Sequence, residues 1–361
     1  MSTILLSCGG TGGHLSPGIA LAEGLAARGH RPVLIISRKK VDARLIEKYP
    51  HLRFERLPGA PLAWSPKAFC RFVVSQTQAF FAGVRLVRTL KPAVVVGFGG
   101  FTTAGVIIAG ALFRVPVVLH EANRVPGRAI RLMARLARRL WLPPGVTLPG
   151  ARADRIRPAG LPVRAEITRR PRAEACAALG LDPALKVVVI FGGSQGAASL
   201  NDWARREAAA FAADGAQIYC VTGLGNGEPG TVENPGPDGR PTRSVYSSFC
   251  DTVAELLSAA DLVVGRAGAG TIAECARCRA PAVLVPYPFA ADDHQRANAE
   301  YFVARGGGIL LPQERLGELT ATVRGVLFDD ARLAAFRDNL AHFDGEHGLD
   351  QLLDDLDTIR K

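Results

Sequence analysis

Four times in 361 residues, a short apolar run gives way to a glycine-rich turn and then to a helical pattern, one of them Val94–Gly97 running into Gly97-Phe98-Gly99-Gly100-Phe101-Thr102-Thr103. Thr3–Leu6 leads into Ser7-Cys8-Gly9-Gly10-Thr11-Gly12-Gly13-His14 and a helix from Pro17 to Ala27. Leu185–Phe191 leads into Gly192-Gly193-Ser194-Gln195-Gly196-Ala197 and a helix to Ala213, and Asp261–Val264 into Gly265-Arg266-Ala267-Gly268-Ala269-Gly270-Thr271 and another helix. Unbroken apolar runs suit parallel strands buried on both faces, and 361 residues suit two domains. Glycines at the strand-to-helix turn let the backbone approach a ligand, and the free N–H groups of the following helix favour an anion. The restart of this plan in the second half predicts an α/β protein of two doubly wound, Rossmann-like domains, each presenting a glycine loop. Further strands are expected at Pro32–Ser37, Val115–Leu119 and Ala282–Val285, with a helical stretch near Val41–Lys48.

The first loop matches neither common nucleotide fingerprint. A Walker A loop needs Gly-Lys-Ser/Thr, and no such lysine is present. A dinucleotide turn wants a glycine where Leu15 stands and an acidic residue after the second strand, where Ser37 and Arg38 stand. It is a phosphate-type loop of another kind, with a titratable group built in. His14 sits where a positive helix end disfavours its protonation and keeps a neutral imidazole available as a base.

Seven cysteines, an odd number without shared spacing, point to reduced thiols rather than a disulfide framework, and Cys275-x-x-Cys278 has no second pair to complete a zinc site. Leu5-Leu6-Ser7-Cys8 resembles a lipoprotein cleavage site but lacks a preceding positive residue and a long apolar core, so no signal peptide is expected. Ala93–Phe113 is uncharged and long enough to span a bilayer, yet five glycines divide it into strand, turn and buried helix. No spanning segment is expected.

The net charge of +11 is unevenly spread. Residues 1–160 hold 24 Lys/Arg against 6 Asp/Glu, a net of +18, whereas 161–361 hold 20 against 27, a net of −7. A basic half beside an acidic one implies that only the first meets a polyanion, a nucleic acid or an anionic membrane face. In Trp64–Leu90, phenylalanines and valines interleave with Lys67, Arg71, Arg85 and Arg88, which reads as an amphipathic basic helix pair suited to anionic lipid or, equally, as core helix with solvated arginines. Arg124–Arg139 adds six arginines at helical spacing, predicting one basic helix face. Arg157–Arg172 is the best linker, and Gly223–Thr242, crowded with Gly and Pro, reads as an exposed loop.

Candidate polar residues stand at strand ends. His120, Glu121 and Asn123 follow the Val115–Leu119 run, where open α/β sheets place ligand groups; a structural role for Glu121 or Asn123 as a cap is equally available. Thr271-x-x-Glu274 matches a capping box, although Glu274 equally suits the vicinal hydroxyls of a ribose. Asp292 and Asp293 suit a helix cap better than a metal site.

Taken together, Gly9–His14, His120-Glu121-Ala122-Asn123, Gly192–Ala197, Arg266–Glu274 and Asp293-His294-Gln295 resemble, in order and spacing, the MurG family of peripheral membrane N-acetylglucosaminyltransferases of peptidoglycan synthesis. The resemblance covers nearly the whole chain. It implies a GT-B architecture, two Rossmann-like domains facing across a cleft: an acceptor- and membrane-facing domain over 1–160, a UDP-sugar-binding domain over 161–342, and an acidic helix over 343–361 packing back on the first. It implies UDP-GlcNAc as donor, lipid I as acceptor and inversion at the anomeric carbon, with lipid II as product. His14 would be the catalytic base. Thr11, Gly12, Gly13 and Asn123 would meet the donor from the first domain. Arg164, Ser194, the Cys250 backbone, Ala269, Gly270, Thr271, Ile272, Ala273, Glu274 and Gln295 would hold it from the second, Glu274 on the ribose. Gly99, Gly100, Phe101, Thr102, His120 and Glu121 would line the acceptor side. No cofactor or metal is expected, since no Asp-x-Asp motif is present, and no nucleic acid; the basic, apolar first domain would lie on the cytoplasmic face of the inner membrane.

Three departures fall in these motifs. Ala122 replaces a usual Gln, Phe101-Thr102-Thr103-Ala104-Gly105 replaces Tyr-Val-Ser-Gly-Pro, and Leu161 replaces the Asn of Gly-Asn-Pro-Val-Arg. Competing readings are a related lipid glycosyltransferase acting on diacylglycerol, a non-hydrolysing UDP-sugar epimerase, and a non-catalytic nucleotide-binding regulator using its basic half on nucleic acid; phenylalanines among the arginines and the lack of a nucleic-acid module weigh against the last.

Overall fold

The computed structural model describes residues 1–9, 12–37, 45–59, 65–100, 103–193, 196–237, 239–344 and 348–359. The chain divides into two compact units, residues 1–165 with 346–361, and residues 166–345. The first half of the expected helix near Val41–Lys48, residues 41–44, lies outside the described residues; Leu45 and Ile46 are helical and a turn follows.

Unit 1 runs β1 (Thr3–Ser7), α1 (Gly12–Ala27), β2 (Arg31–Ile36), β3 (Arg53–Arg56), α2 (Pro66–Leu90), β4 (Val94–Gly97), α3 (Thr103–Leu112), β5 (Val117–His120), α4 (Arg128–Met133), β6 (Arg139–Leu142) and β7 (Ile156–Pro158). Its sheet is parallel throughout, in the order β3-β2-β1-β4-β5-β6-β7. β1, β4 and β5 are almost entirely buried, as their Val, Ile and Leu content requires of strands covered on both faces.

Two expectations in this unit are corrected. The Trp64–Leu90 stretch holds one 25-residue helix, α2, rather than a pair. Ser65 at its N-cap precedes Pro66, whose fixed φ suits the first helical position, and no breaker follows until Lys91 adopts a left-handed conformation ahead of Pro92. Nor is Arg124–Arg139 one helix: α4 has six residues, a 3₁₀ turn follows at Ala134–Leu136, and Arg139 already belongs to β6. Pairing with β5 on one side and β7 on the other overrides the local helical spacing.

Unit 2 runs α5 (Arg172–Leu179), β8 (Lys186–Phe191), α6 (Ala198–Ala213), β9 (Ala216–Val221), β10 (Gly230–Pro235), β11 (Pro241–Ser247), α7 (Val253–Ala259), β12 (Leu262–Gly265), α8 (Ala269–Cys278), β13 (Ala282–Leu284), α9 (His294–Ala304), β14 (Gly308–Leu310), α10 (Leu319–Leu327) and α11 (Asp330–Asp344). The sheet order is β10-β11-β9-β8-β12-β13-β14, parallel except for β10. The stretch expected to be a loop over Gly223–Thr242 contains β10, antiparallel to β11 in register Gly230↔Tyr246. β10 is solvent-exposed along its length, so it carries no buried-face alternation; main-chain pairing alone defines it.

The last helix, α12 (Leu349–Ile359), belongs to unit 1 and buries Leu352, Leu353, Leu356 and Ile359 in the core that α1 shares with β1 and β2. Its acidic face meets Arg28, whose Nη1 lies 2.6 Å from Asp354 and 3.2 Å from Asp357. Asp355 accepts from the buried Trp141 indole at 2.7 Å.

Candidate active site

In an open α/β sheet, a crevice forms beyond the carboxyl ends of two neighbouring strands whose connections leave in opposite directions. In unit 1 those strands are β1 and β4, which lead through Cys8–Gly9 toward α1 and through Phe98–Gly100 toward α3. In unit 2 they are β8 and β12, followed by Gly192–Gly193 with Gly196–Ala197 and by Arg266–Gly268. All four crevice loops are glycine-rich.

α1 starts earlier than its hydrophobic pattern suggests, at Gly12, which puts His14 in the first helical turn. The imidazole rests on the second glycine loop. A Cβ at Gly99 would lie 3.3 Å from His14 Nε2, and one at Gly100 would lie 3.3 Å from His14 Nδ1 and collide with the Gly9 carbonyl oxygen. Both glycines have positive φ, 92° and 82°. Only glycine satisfies both the backbone conformation and the packing here. Sequence reading puts Gly9 and His14 on one motif and Gly99 and Gly100 on another; the fold brings them into contact. Thr11, Phe101 and Thr102 lie outside the described residues.

Next to this surface, β5 ends at His120, which is 1% exposed. Its Nε2 donates to the Gly160 carbonyl at 3.1 Å, and its ring lies between Phe98 and Trp141, with centroids 5.3 and 6.3 Å away. Burial pushes its pKa down to about 4; the Gly160 carbonyl opposes this, and His14 nearby adds to it. His120 is therefore a buried, packed ring that is neutral near pH 7.

Glu121 is 5% exposed and both its oxygens are occupied. Oε1 accepts from the Asn123 backbone N–H at 2.8 Å and from Asn123 Nδ2 at 3.0 Å, and Oε2 accepts from the Gly127 N–H at 2.7 Å. With Nδ2 engaged, Asn123 is oriented by Glu121. Gly127 is the N-cap of α4, so the same carboxylate also fixes the start of that helix. Arg164 lies in unit 1, 6% exposed, with Nη1 donating to the Tyr49 hydroxyl at 3.3 Å.

In unit 2, Gly196 has φ 70°, and a Cβ there would run into the Thr222 carbonyl, so the loop after β9 lies directly against the Gly192–Ala197 turn. Ser194 lies outside the described residues. α8 begins with Gly268 as N-cap and Ala269 as its first residue, and Ile272 N–H returns to the Gly268 carbonyl at 3.1 Å. This corrects the capping-box expectation: Thr271 is the third helical residue rather than the cap, and Glu274 lies one turn deeper, 9% exposed. Ile272 and Ala273 are buried beside it, while Gly270 and Thr271 are half-buried. Cys250 follows β11 in a loop held by Ser247 Oγ donating to the Phe249 carbonyl at 2.7 Å. Gln295, on the first turn of α9, accepts at Oε1 from the Tyr287 N–H at 2.9 Å, which leaves its NH₂ as the outward donor.

Arg266, outside the expected set, sits among the crevice turns of unit 2. Its Nη1 donates to the carbonyls of Val285 and Pro286 at 3.1 and 3.2 Å, and its Nη2 donates to Ser199 Oγ at 3.4 Å, in the first turn of α6. Its guanidinium carbon lies 5.5 Å from the Tyr287 ring centroid, and burial lowers its pKa. A positive side chain thus joins the α6 N-terminus, the β12 turn and the loop leading to Gln295. Among the described residues, no group of three or more His, Cys, Asp or Glu is placed to hold a metal.

Two Rossmann-like units, each with a glycine-lined crevice, define a two-domain nucleotide-sugar transferase fold. The solved structure of Acinetobacter baumannii MurG shares it, with a TM-score of 0.69 over 99% of this chain and 100% of that one at 22% identity. Residues 4–141 match the glycosyltransferase family 28 N-terminal domain and residues 187–350 the C-terminal domain, and the chain belongs to that family. Among its relatives is the UDP-N-acetylglucosamine–N-acetylmuramyl-(pentapeptide) pyrophosphoryl-undecaprenol N-acetylglucosamine transferase of Opitutus terrae, 55% identical over all of this chain and 96% of that protein. The enzyme of the same name from Desulforudis audaxviator is 34% identical over 99% of this chain and 98% of its own length.

Proposed function

We propose that the chain transfers N-acetylglucosamine from UDP-GlcNAc to the 4-hydroxyl of the N-acetylmuramyl sugar of lipid I, with inversion, yielding lipid II for peptidoglycan. The observation that carries this reading is the 55% identity, end to end, with a transferase of that name. His14 accepts the proton of the acceptor hydroxyl as its oxygen bonds to the sugar's anomeric carbon. The bond from that carbon to the diphosphate breaks, and UDP departs with the electron pair. Thr11, Gly12, Gly13 and Asn123 face the donor from unit 1, with Glu121 orienting Asn123, and Gly99 to Thr102 hold the acceptor side. In unit 2 the N-termini of α6 and α8, with Ser194 and Arg266, stabilise the leaving diphosphate. Arg164 and the Cys250 backbone add donor contacts, Glu274 takes the ribose hydroxyls, and Gln295 donates to a sugar oxygen. In this reading no metal is required, so EDTA leaves the rate unchanged.

Labelled UDP-GlcNAc given lipid I or diacylglycerol in separate reactions tests the acceptor. Label in lipid II supports the reading; product from diacylglycerol alone, or sugar isomerisation without acceptor, overturns it.

The same reading places the protein peripherally on the cytoplasmic face of the inner membrane. α2 exposes Phe69, Val73, Val74 and Phe81, α3 exposes Ile108 and Leu112, and Leu132 and Leu136 are exposed beyond them. Apolar side chains on a strongly basic unit suit an anionic interface. Among the described residues, no helix is long and apolar enough to cross a membrane. Flotation with anionic vesicles at low salt, alongside DNA and RNA binding, checks the partner; binding to nucleic acid instead of vesicles would sink this placement.

A further inference from the structure

We infer that Thr103, backed by Ser7, is a positioning residue that fixes the Gly99–Gly100 turn beneath the His14 imidazole. The two side chains are 1% and 0% exposed, so their hydroxyls make hydrogen bonds within the protein or none. Ser7 Oγ lies 3.4 Å from Thr103 Oγ1 and donates to it, and Thr103 Oγ1 donates to the Gly99 carbonyl. Thr103 Oγ1 also lies 3.4 Å from the Ser7 carbonyl, but a hydroxyl has one proton to give and the Gly99 carbonyl is much the nearer acceptor, so the direction runs Ser7 to Thr103 to Gly99. The Thr103 N–H lies 3.4 Å from the Gly100 carbonyl, so this one residue binds both glycines of the turn. Phe98 N–H bonds the Ser7 carbonyl at 2.9 Å, which ties the base of the loop to β1.

The methyl of Thr103 adds a steric constraint. A Cβ at Gly97 would lie 2.7 Å from Thr103 Cγ2, so the threonine is wedged between the end of β4 and the turn it holds. The turn in turn sets the ring. The Cβ directions of Gly99 and Gly100 point at the two imidazole nitrogens, and any shift of the turn changes what supports each of them. A base must be held within a fraction of an ångström of its working geometry, so the rate responds to such a shift even though Thr103 need touch no substrate. Ser7 is 96 residues away in sequence, and the brace exists only because β1 and β4 are neighbours.

This inference rests on His14 being the base, and its test separates the two ideas. Thr103→Val keeps the shape and removes the hydroxyl, and Thr103→Ser keeps the hydroxyl. Two quantities are measured on the intact protein: kcat and KM for UDP-GlcNAc, and the site-resolved rate at which diethyl pyrocarbonate modifies His14. With Thr103→Val, kcat falls about tenfold, KM stays within about twofold, and modification of His14 accelerates several-fold. Thr103→Ser restores most of both. Ser7→Ala, which leaves the bond to Gly99 in place, has a smaller effect of the same sign. Should Thr103→Val fold poorly, Thr103→Ala removes the same hydroxyl without a bulky apolar group and carries the same expectation. Unchanged His14 modification in a folded hydroxyl-less variant overturns the positioning role. Faster modification with unchanged kcat upholds the positioning role and removes His14 from the chemistry.

Discussion

The two units share an architecture and differ in what lies at its crevice. Each has a seven-stranded sheet whose central strands open onto two glycine loops. Unit 1 fills that place with an imidazole packed on paired glycines and backs it with buried His120 and Glu121. Unit 2 fills it with the starts of α6 and α8 and a half-buried arginine. Their charge balance is also opposite: unit 1 carries 27 Lys/Arg against 11 Asp/Glu, a net of +16, and unit 2 carries 17 against 22, a net of −5. The more acidic unit is the one assigned the anionic nucleotide. On the proposed function, bulk charge says little about which crevice takes the diphosphate; that reading leaves the choice to local dipoles and one guanidinium and gives bulk charge to the membrane surface. Function lies in the side chains placed on the fold rather than in the fold.

Damage to unit 1's crevice should remove turnover, and damage to unit 2's should remove donor binding. The largest effect is expected from His14→Ala, which lowers kcat about 10²–10⁴-fold while UDP binding by calorimetry is kept. Near-normal turnover would erase the contrast. His120 gives the next. Its folded pKa of about 4 lies below the unfolded value of about 6.5, so above pH 6.5 it has no effect on stability. As pH falls from 6.5 to 4 the unfolded chain takes up a proton that the folded chain refuses, and about 3 kcal/mol of stability is lost. Denaturant unfolding of wild type and His120→Phe should therefore diverge in pH slope over that window; parallel slopes would show that the ring titrates normally.

Glu274→Ala is the corresponding change in unit 2. Loss of charge-assisted hydrogen bonds worth about 2 kcal/mol would raise the Kd for UDP roughly thirtyfold with kcat changed much less. A kcat loss matching that of His14→Ala would mean that binding and chemistry are not divided between the units. The smallest effect concerns α12. Arg28→Met removes contacts to Asp350, Asp354 and Asp357, but they are exposed and salt-screened, so thermal denaturation at low salt should register less than about 1 kcal/mol and at high salt almost nothing. A larger loss would assign α12's attachment to its charges rather than its buried leucines.

Some of this was legible in the chain. Strands buried on both faces are continuous apolar runs, and each crevice loop announces itself by its glycines. The expected single face over Arg124–Arg139 failed because β6 needed Arg139–Leu142 as a strand, and β10 escaped notice because a solvated strand has no apolar alternation. Thr271-x-x-Glu274 matched a capping box in spacing, yet the helix starts at Ala269, and local pattern does not fix where a helix begins.

By itself, then, the sequence determined the repeated strand–turn–helix units, the anion-suited loops and a histidine in one of them, because each of these depends on neighbours within about ten residues. Only the tertiary structure decided that His14 rests on Gly99 and Gly100, that Ser7 braces Thr103 from 96 residues away, and that Arg266 reaches Ser199 across 67. Those contacts follow from strand order. β1 lies beside β4, and β8 beside β12, through crossovers that no local window contains.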